Sequence, residues 1–295
     1  MAGEIINRLN VGQVVNVKLT DSAVTNGQNL VEAYNYAKTL TPNGAALSAT
    51  NRVSVIIQPG NYTLAAQLTV DTQFVDLIGL GAIKLRRGCV PAVVIGGNNL
   101  FVTANDVRVK GISVGSLSFP IGDNLPLQVF EDCVGGNGSF NNNTVSGTFI
   151  NCTAGTGSFA GSSFVSMTAN GTFINCQGGS SSFGHNNSGA IASGLFVNCT
   201  LGSSAGFGVT ASGTFIDCEG GSYSFGSYFF GSTAASGTFI NCIASTNSFG
   251  NVGSGTVSGK FYLCRLTSGS GTFKTVTGAG LMRNCIDGNN NIVNQ

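Results

Sequence analysis

Gly147-Thr-Phe-Ile-Asn-Cys152 is followed by Gly171-Thr-Phe-Ile-Asn-Cys176, Gly194-Leu-Phe-Val-Asn-Cys199, Gly213-Thr-Phe-Ile-Asp-Cys218, Gly237-Thr-Phe-Ile-Asn-Cys242 and Gly259-Lys-Phe-Tyr-Leu-Cys264. Weaker copies end at Cys133 and Cys285, so successive cysteines lie 19, 24, 23, 19, 24, 22 and 21 residues apart. A second beat, Phe140, Phe159, Phe183, Phe207, Phe225, Phe249 and Phe273, follows the cysteines, mostly by seven residues. Repetition at such a period marks a solenoid. Leucine-rich repeats need a Leu and Asn pattern that is missing, and helical repeats are longer and poorer in Gly. Short strands divided by Gly/Ser/Asn turns predict an all-β chain, a right-handed single-stranded parallel β-helix. Variable gaps fit, because insertions fall in the turns.

Each column of the repeat has its own chemistry, since stacked rungs lie about 4.8 Å apart and equivalent residues form files. Phe130, Phe149, Phe173, Phe196, Phe215, Phe239, Phe261 and Met282 never give way to a polar residue, so this file points inward. Glu131, Ile150, Ile174, Val197, Ile216, Ile240, Tyr262 and Arg283 admit charge at both ends, so that file points outward. Asp132, Asn151, Asn175, Asn198, Asp217, Asn241, Leu263 and Asn284 form a corner file, because Asn and Asp tolerate left-handed backbone. The cysteines then turn inward as small hydrophobes.

Composition excludes several classes. With 13 Lys+Arg against 12 Asp+Glu among 295 residues, no basic excess exists to neutralise phosphates, and no nucleic-acid partner is expected. The 44 glycines argue against a helical protein. No apolar run is long enough to span a membrane, and no signal peptide is visible at the start. Nine cysteines is an odd count in a large chain, so reduced thiols are expected.

Upstream of the repeats, Leu30, Ala33, Tyr34 and Ala37 at helical spacing predict a short N-terminal capping helix over Asn29–Leu40 that plugs the open end of the β-helix. Strands are predicted at Val53–Ile57, Leu68–Val70, Phe74–Ile78, Val93–Ile95, Leu100–Val102 and Val107–Val114. The organisation expected is an attachment and capping segment over 1–50, irregular coils over 51–132, regular coils over 133–288 and a tail over 289–295.

Asn29-Leu-Val-Glu-Ala, Arg52-Val-Ser-Val-Ile-Ile-Gln-Pro-Gly-Asn-Tyr-Thr-Leu64 and Phe74-Val-Asp-Leu-Ile-Gly79 together resemble the entry of pectin-lyase-like β-helix proteins, especially phage tail spikes and other virion appendages. The resemblance covers the N-terminal third by motif and the rest by architecture. That superfamily holds lyases, hydrolases and inert structural proteins, so it implies fold more than chemistry. A lyase reading would place Ca²⁺ on Asp71, Asp76 and Asp106, with a base among Lys84, Arg86, Arg87, Arg108 and Lys110. Register gives a plainer account, stacking Asp76 on Arg108 as a surface pair.

Candidate catalytic residues are few. Asp217 and Glu219 are the only carboxylates between Gly135 and Ile286, and glycoside hydrolysis needs two. As a corner residue, Asp217 also has a structural reading. Glu131 and Asp132 are adjacent and face different ways. His185, the single histidine, has no acid near it for a triad and reads as a loop residue. Cysteine spacing does not suit zinc, and no cofactor or metal is expected. The basic group Lys84–Arg87 reads as a solvated edge or as a dock for an acidic partner.

The reading favoured is structural and non-enzymatic: a homotrimeric rod in a bacteriophage particle, as tail spike or fibre, neck or capsid decoration. Its subunits would meet along Ile150, Ile174, Val197, Ile216 and Ile240, and its N-terminal segment would hold other virion proteins. A polysaccharide depolymerase using Asp217 and Glu219 is one alternative. A non-catalytic spike that stacks host-surface glycan on Tyr223, Tyr228, Phe229 and Phe230 is the other. The implied location is the virion, assembled in the host cytoplasm.

Overall fold

In the computed structural model, residues 13–161, 166–184, 189–201, 204–226, 234–250, 256–267, 273 and 275–295 are described. Their strands stack into a parallel β-helix, as the repeat predicts. A 12-stranded sheet, here the front sheet, runs its length. Its strands are Gln13–Asn16, Val53–Ile57, Val75–Gly79, Arg108–Lys110, Val129–Glu131, Thr148–Ile150, Thr172–Ile174, Leu195–Val197, Thr214–Ile216, Thr238–Ile240, Lys260–Tyr262 and Leu281–Arg283. Register carries Phe130 onto Phe149, and the file continues through Phe173, Phe196, Phe215, Phe239 and Phe261 to Met282. All are buried, while Ile150, Ile174, Val197, Ile216 and Ile240 are half-exposed, so the inward and outward files are as read.

The core of the regular half is two facing stacks of Phe. Within the front-sheet file, from Phe130 to Phe261, ring centroids lie 4.7–5.2 Å apart and planes agree within 6°. The second file begins at Phe140 and is stacked from Phe140 to Phe249 at 4.7–5.1 Å. From Phe149–Phe159 onward the two files meet at 79–89° with centroids 5.4–5.9 Å apart. Rung spacing enforces parallel stacking within a file, and the edge-to-face contact between files is the arrangement the ring quadrupole favours.

Phe140, Phe159, Phe183, Phe207, Phe225 and Phe249 have φ of 50–57°, a left-handed backbone that costs a bulky residue about 1–2 kcal/mol. Burial in the stack offsets that cost. The next residue is left-handed too at Gly226, where a Cβ would strike the Ala234 carbonyl. Buried serines precede several of these rings: Ser158 Oγ accepts from the Ser139 N–H at 3.2 Å and Ser182 Oγ from the Ser158 N–H at 3.3 Å.

The Asn/Asp file is a left-handed corner, with φ of 51–57° from Asp132 to Asn284, Leu263 included. Its side chains form a hydrogen-bonded ladder in which the amides of Asn151, Asn175, Asn198 and Asn241 each donate to the rung before. Asn198 donates to Asn175 at 2.9 Å, Asn175 to Asn151 at 3.0 Å and Asn151 to Asp132 at 2.9 Å. All nine cysteines are buried and outside any disulfide. Those from Cys176 to Cys264 each donate a thiol to a Phe carbonyl of the coil below, at 3.3–3.5 Å. Burial pushes the Cys89 thiol up to about 12.

The helix, α1, spans Ala23–Ala37 and starts earlier than its apolar spacing indicates. Ser22 caps it by accepting from the Thr25 N–H, and Leu30, Ala33, Tyr34 and Ala37 are buried as expected. Its first turns carry Gly27 because a Cβ there would collide with the Thr63 carbonyl. A strand also precedes it: Gln13–Asn16 pairs with Val53–Ile56. The strand read over Val107–Val114 is two, Arg108–Lys110 and Ile112–Ser113, divided at left-handed Gly111.

One further reading changes. Asp76 is level with Arg108 but takes only its backbone N–H, at 2.8 Å. The side-chain partner is Arg52, whose Nε lies 2.8 Å from Asp76 Oδ2 and whose Nη1 lies 2.7 Å from Asp106 Oδ1. Asp76 is 4% exposed, so this is a buried clamp rather than a surface pair. A carboxylate in that position needs a guanidinium that reaches it across the rungs, and Arg52 does.

Candidate functional site

Asp217 and Glu219 flank inward-facing Cys218 where the front sheet turns its corner, and a cleft of about 500 Å³ opens beside them. Arg86, Arg87, Asn198, Asn241 and Ile243 complete its lining. The arginines come from a segment more than a hundred residues upstream. Ile83–Lys84 and Cys89–Val90 pair as an antiparallel hairpin, here the strap, which lies along the Asn corner. Lys84 Nζ reaches Glu131 Oε1 at 3.0 Å and Asp132 Oδ2 at 3.6 Å. The Gly88 N–H donates to the Asn175 carbonyl at 2.9 Å. Arg87 Nε donates to Asn198 Oδ1 at 2.9 Å, and its Nη1 to Glu219 Oε2 at 2.8 Å.

Asp217 explains why Arg87 ends there. A carboxylate cannot donate, so it cannot continue the amide ladder to Asn198. Arg87 supplies the missing donor, while Asp217 Oδ1 accepts from Asn241 Nδ2 at 2.7 Å. The basic group is therefore neither a wholly solvated edge nor wholly free for a partner: Lys84 and Arg87 bind this chain's own carboxylates. Arg86 is exposed and lines the cleft.

Electrostatics around the strap are those of ion pairs. Burial raises the Glu131 carboxyl, but Lys110 at 2.9 Å and Lys84 outweigh it and hold that group below its ordinary value. The hydrogen bond to Glu131 raises Lys84. Glycoside hydrolysis needs one carboxyl kept protonated in an apolar or like-charged surround. The surround of Asp217 and Glu219 is two guanidiniums and two amides, and both carboxylates already serve as acceptors in fixed contacts. The lining of the cleft is chiefly polar and charged.

The remaining candidates do not converge. Asp71 pairs with Lys38 at 2.8 Å and accepts from the Tyr34 hydroxyl at 3.0 Å, apart from the Asp76 and Asp106 clamp. Burial lifts the Tyr34 phenol to about 12. Among the described residues, no group of three or more His, Cys, Asp or Glu is placed to hold a metal ion. Tyr223 is half-buried with a left-handed backbone, and its N–H donates to the Thr246 carbonyl at 3.1 Å. Tyr228, Phe229, Phe230 and His185 lie outside the described residues.

Ile150, Ile174, Val197, Ile216 and Ile240 lie one per rung on the front sheet, beside a second outward file of Thr148, Thr172, Leu195, Thr214 and Thr238. The ten positions carry no charge. Sequence reasoning found the Ile file but not its Thr neighbour, nor the strap, whose contacts span too much sequence for a local pattern to show. Comparison with protein-family models, with curated proteins and with solved structures finds no match to this chain. No helix among the described residues is long and apolar enough to cross a membrane.

Proposed function

We propose that the chain is a structural rod that assembles side by side into a homotrimer, as a bacteriophage tail spike or fibre, neck or capsid decoration subunit. The observation that carries the reading is the uncharged outward stripe of Ile, Val, Leu and Thr over five rungs, bounded by Glu131 on one side and by Lys260, Tyr262 and Arg283 on the other. Isolated exposed apolar residues are common on soluble proteins, whereas a continuous stripe marks a surface that is covered. Parallel rods around a threefold axis cover every copy and leave no open end. The phage assignment rests on the likeness of the entry motifs to tail-spike proteins. Sedimentation of the whole chain tests the assembly: a trimer at micromolar concentration supports it, and a monomer removes it.

The cleft favours a second reading, a spike that binds host-surface glycan without cleaving it. Arginines, amides and carboxylates at one corner suit sugar hydroxyls, and the volume suits one or two sugar units. Glycan-array binding lost in Arg86→Ala, with no release of reducing ends, would support it; turnover abolished by Glu219→Gln would replace it with a depolymerase.

A further inference from the structure

We infer that the strap is the second half of the trimer contact: its outer face packs on the Ile/Thr stripe of the neighbouring copy. The inference rests on the homotrimer reading and says which surface meets the stripe.

Alternation within the strap sets its two faces. Lys84 and Cys89 pair across the hairpin and face the solenoid, Lys84 bonding Glu131 and Cys89 buried. Ile83 and Val90 form the other cross-strand pair and point away, as does Leu85. They are 64%, 53% and 53% exposed. A hairpin laid on a protein surface ordinarily turns polar residues to water. This one turns Ile, Val and Leu, with Leu80 exposed beside them.

Area requires a contribution beyond the stripe. Five rungs by one short strand is roughly 20 Å by 10 Å, about a quarter of the ~800 Å² per partner in a stable interface. A second apolar patch on the same chain makes up part of the shortfall. Symmetry then says how the two patches must meet. In a closed ring of three, each contact is heterologous, one patch against a different patch of the next copy. Strap and stripe sit on either side of one corner, since each residue of the Ile file immediately precedes a corner Asn or Asp and Arg87 of the strap reaches Glu219 beyond it.

Their heights along the rod agree as well. Lys84 is fixed at the rung of Glu131, Gly88 at that of Asn175 and Arg87 at those of Asn198 and Glu219. The stripe runs from Ile150 to Ile240. Rotation about an axis parallel to the rods therefore brings strap to stripe without axial slip, and a slip would have given an open helical filament.

The test uses the whole chain with two variants whose side chains are outward, so that folding is preserved: a strap variant, Ile83→Asp with Leu85→Asp, and a stripe variant, Ile174→Asp with Ile216→Asp. Far-ultraviolet circular dichroism confirms that each is folded, and sedimentation reads assembly. Each variant should weaken the trimer by a factor on the order of 100 or more. Mixed together, they should form a one-to-one dimer, because the intact strap of one meets the intact stripe of the other. A strap variant that stays trimeric while the stripe variant falls apart overturns the inference and leaves the trimer standing. A mixture that stays monomeric also overturns it, since strap and stripe then do not meet. An unmutated chain that sediments as a monomer sinks the trimer itself.

Discussion

The coils upstream of Val129 and the rungs downstream of it have the same architecture but are held in different ways. Downstream, each residue meets its own kind: Phe on Phe, Asn on Asn, Cys beside Cys, at one rung spacing. Upstream, the buried file is aliphatic, with Val55, Leu77 and Val109 in register. Single contacts there span several coils: Arg52 clamps Asp76 and Asp106, the Tyr34 hydroxyl bonds the backbone of Asp71 and Thr72, and the strap ties the early coils to the rung of Glu219. Damage to a ladder should stay within a rung or two, while damage to a clamp should loosen several coils together.

Phe173→Ala should show the largest effect, about 3–5 kcal/mol, because it opens a cavity between two ring stacks. Ile174→Ala, one residue on and half-exposed, should cost below about 1 kcal/mol when chemical denaturation is run dilute enough to keep chains apart. Equal losses would show that the two faces are wrongly assigned. Arg52→Met should follow at about 3 kcal/mol, the low end for breaking a buried ion pair, because Asp106 remains a fifth exposed. Hydrogen exchange separates the two substitutions. Arg52→Met should speed exchange across Val53–Ile57, Val75–Gly79 and Arg108–Lys110, and Phe173→Ala only in adjacent rungs. Exchange confined to one coil in Arg52→Met would break the contrast.

Legibility followed the same division. In the ladders a residue's neighbours are copies of itself, so reading down the columns gave direction, corner and core together. The left-handed corner was visible in Asn and Asp. It was not visible in the second Phe file, because nothing in a Phe announces positive φ and only the stack makes it tolerable. In the clamps the partner lies 24 to 132 residues away with no period to reveal it, as Arg52 with Asp76 and Arg87 with Glu219 show. Register alone therefore pairs Asp76 with Arg108, whereas Arg52 has the reach. Of the cleft, the two carboxylates were legible from scarcity alone, and the arginines opposite them were not.

Leu263 offers a gentler probe of the ladder. It is exposed, left-handed and seated between Asn241 and Asn284, a position the rest of the file gives to Asn or Asp. Leu263→Asn should raise stability by about 1 kcal/mol, through an easier backbone and a new amide bond to Asn241 Oδ1. The reverse change, Asn175→Leu, should cost about 1–2 kcal/mol by losing two ladder bonds in mid-file. Thermal unfolding of both reads the sign, and a destabilised Leu263→Asn would mean that the ladder does not reach that rung.

The smallest effect expected is that of pH on the strap. The Glu131 carboxyl sits below its ordinary value of about 4.3, so its pairing with Lys84 and Lys110 contributes fully above that value and is lost as pH falls through the lowered one. Lys84 behaves in the opposite sense: raised by Glu131, it contributes below its ordinary value near 10.4 and loses that contribution as pH rises through the raised one. Both groups are partly open to water, so the latch is worth a few tenths to about 1 kcal/mol. Exchange of the Gly88 N–H, which the Asn175 carbonyl holds only while the strap is seated, reports on it directly. Corrected for the intrinsic rate, its protection should be flat between pH 5 and 9 and fall below about 4. In Glu131→Gln the acid-side fall should shrink while Arg87 still holds the far end. Protection that is unchanged by acid in the parent chain would show that Lys84 does not latch the strap, and that Arg87 with the backbone of Gly88 suffices to seat it.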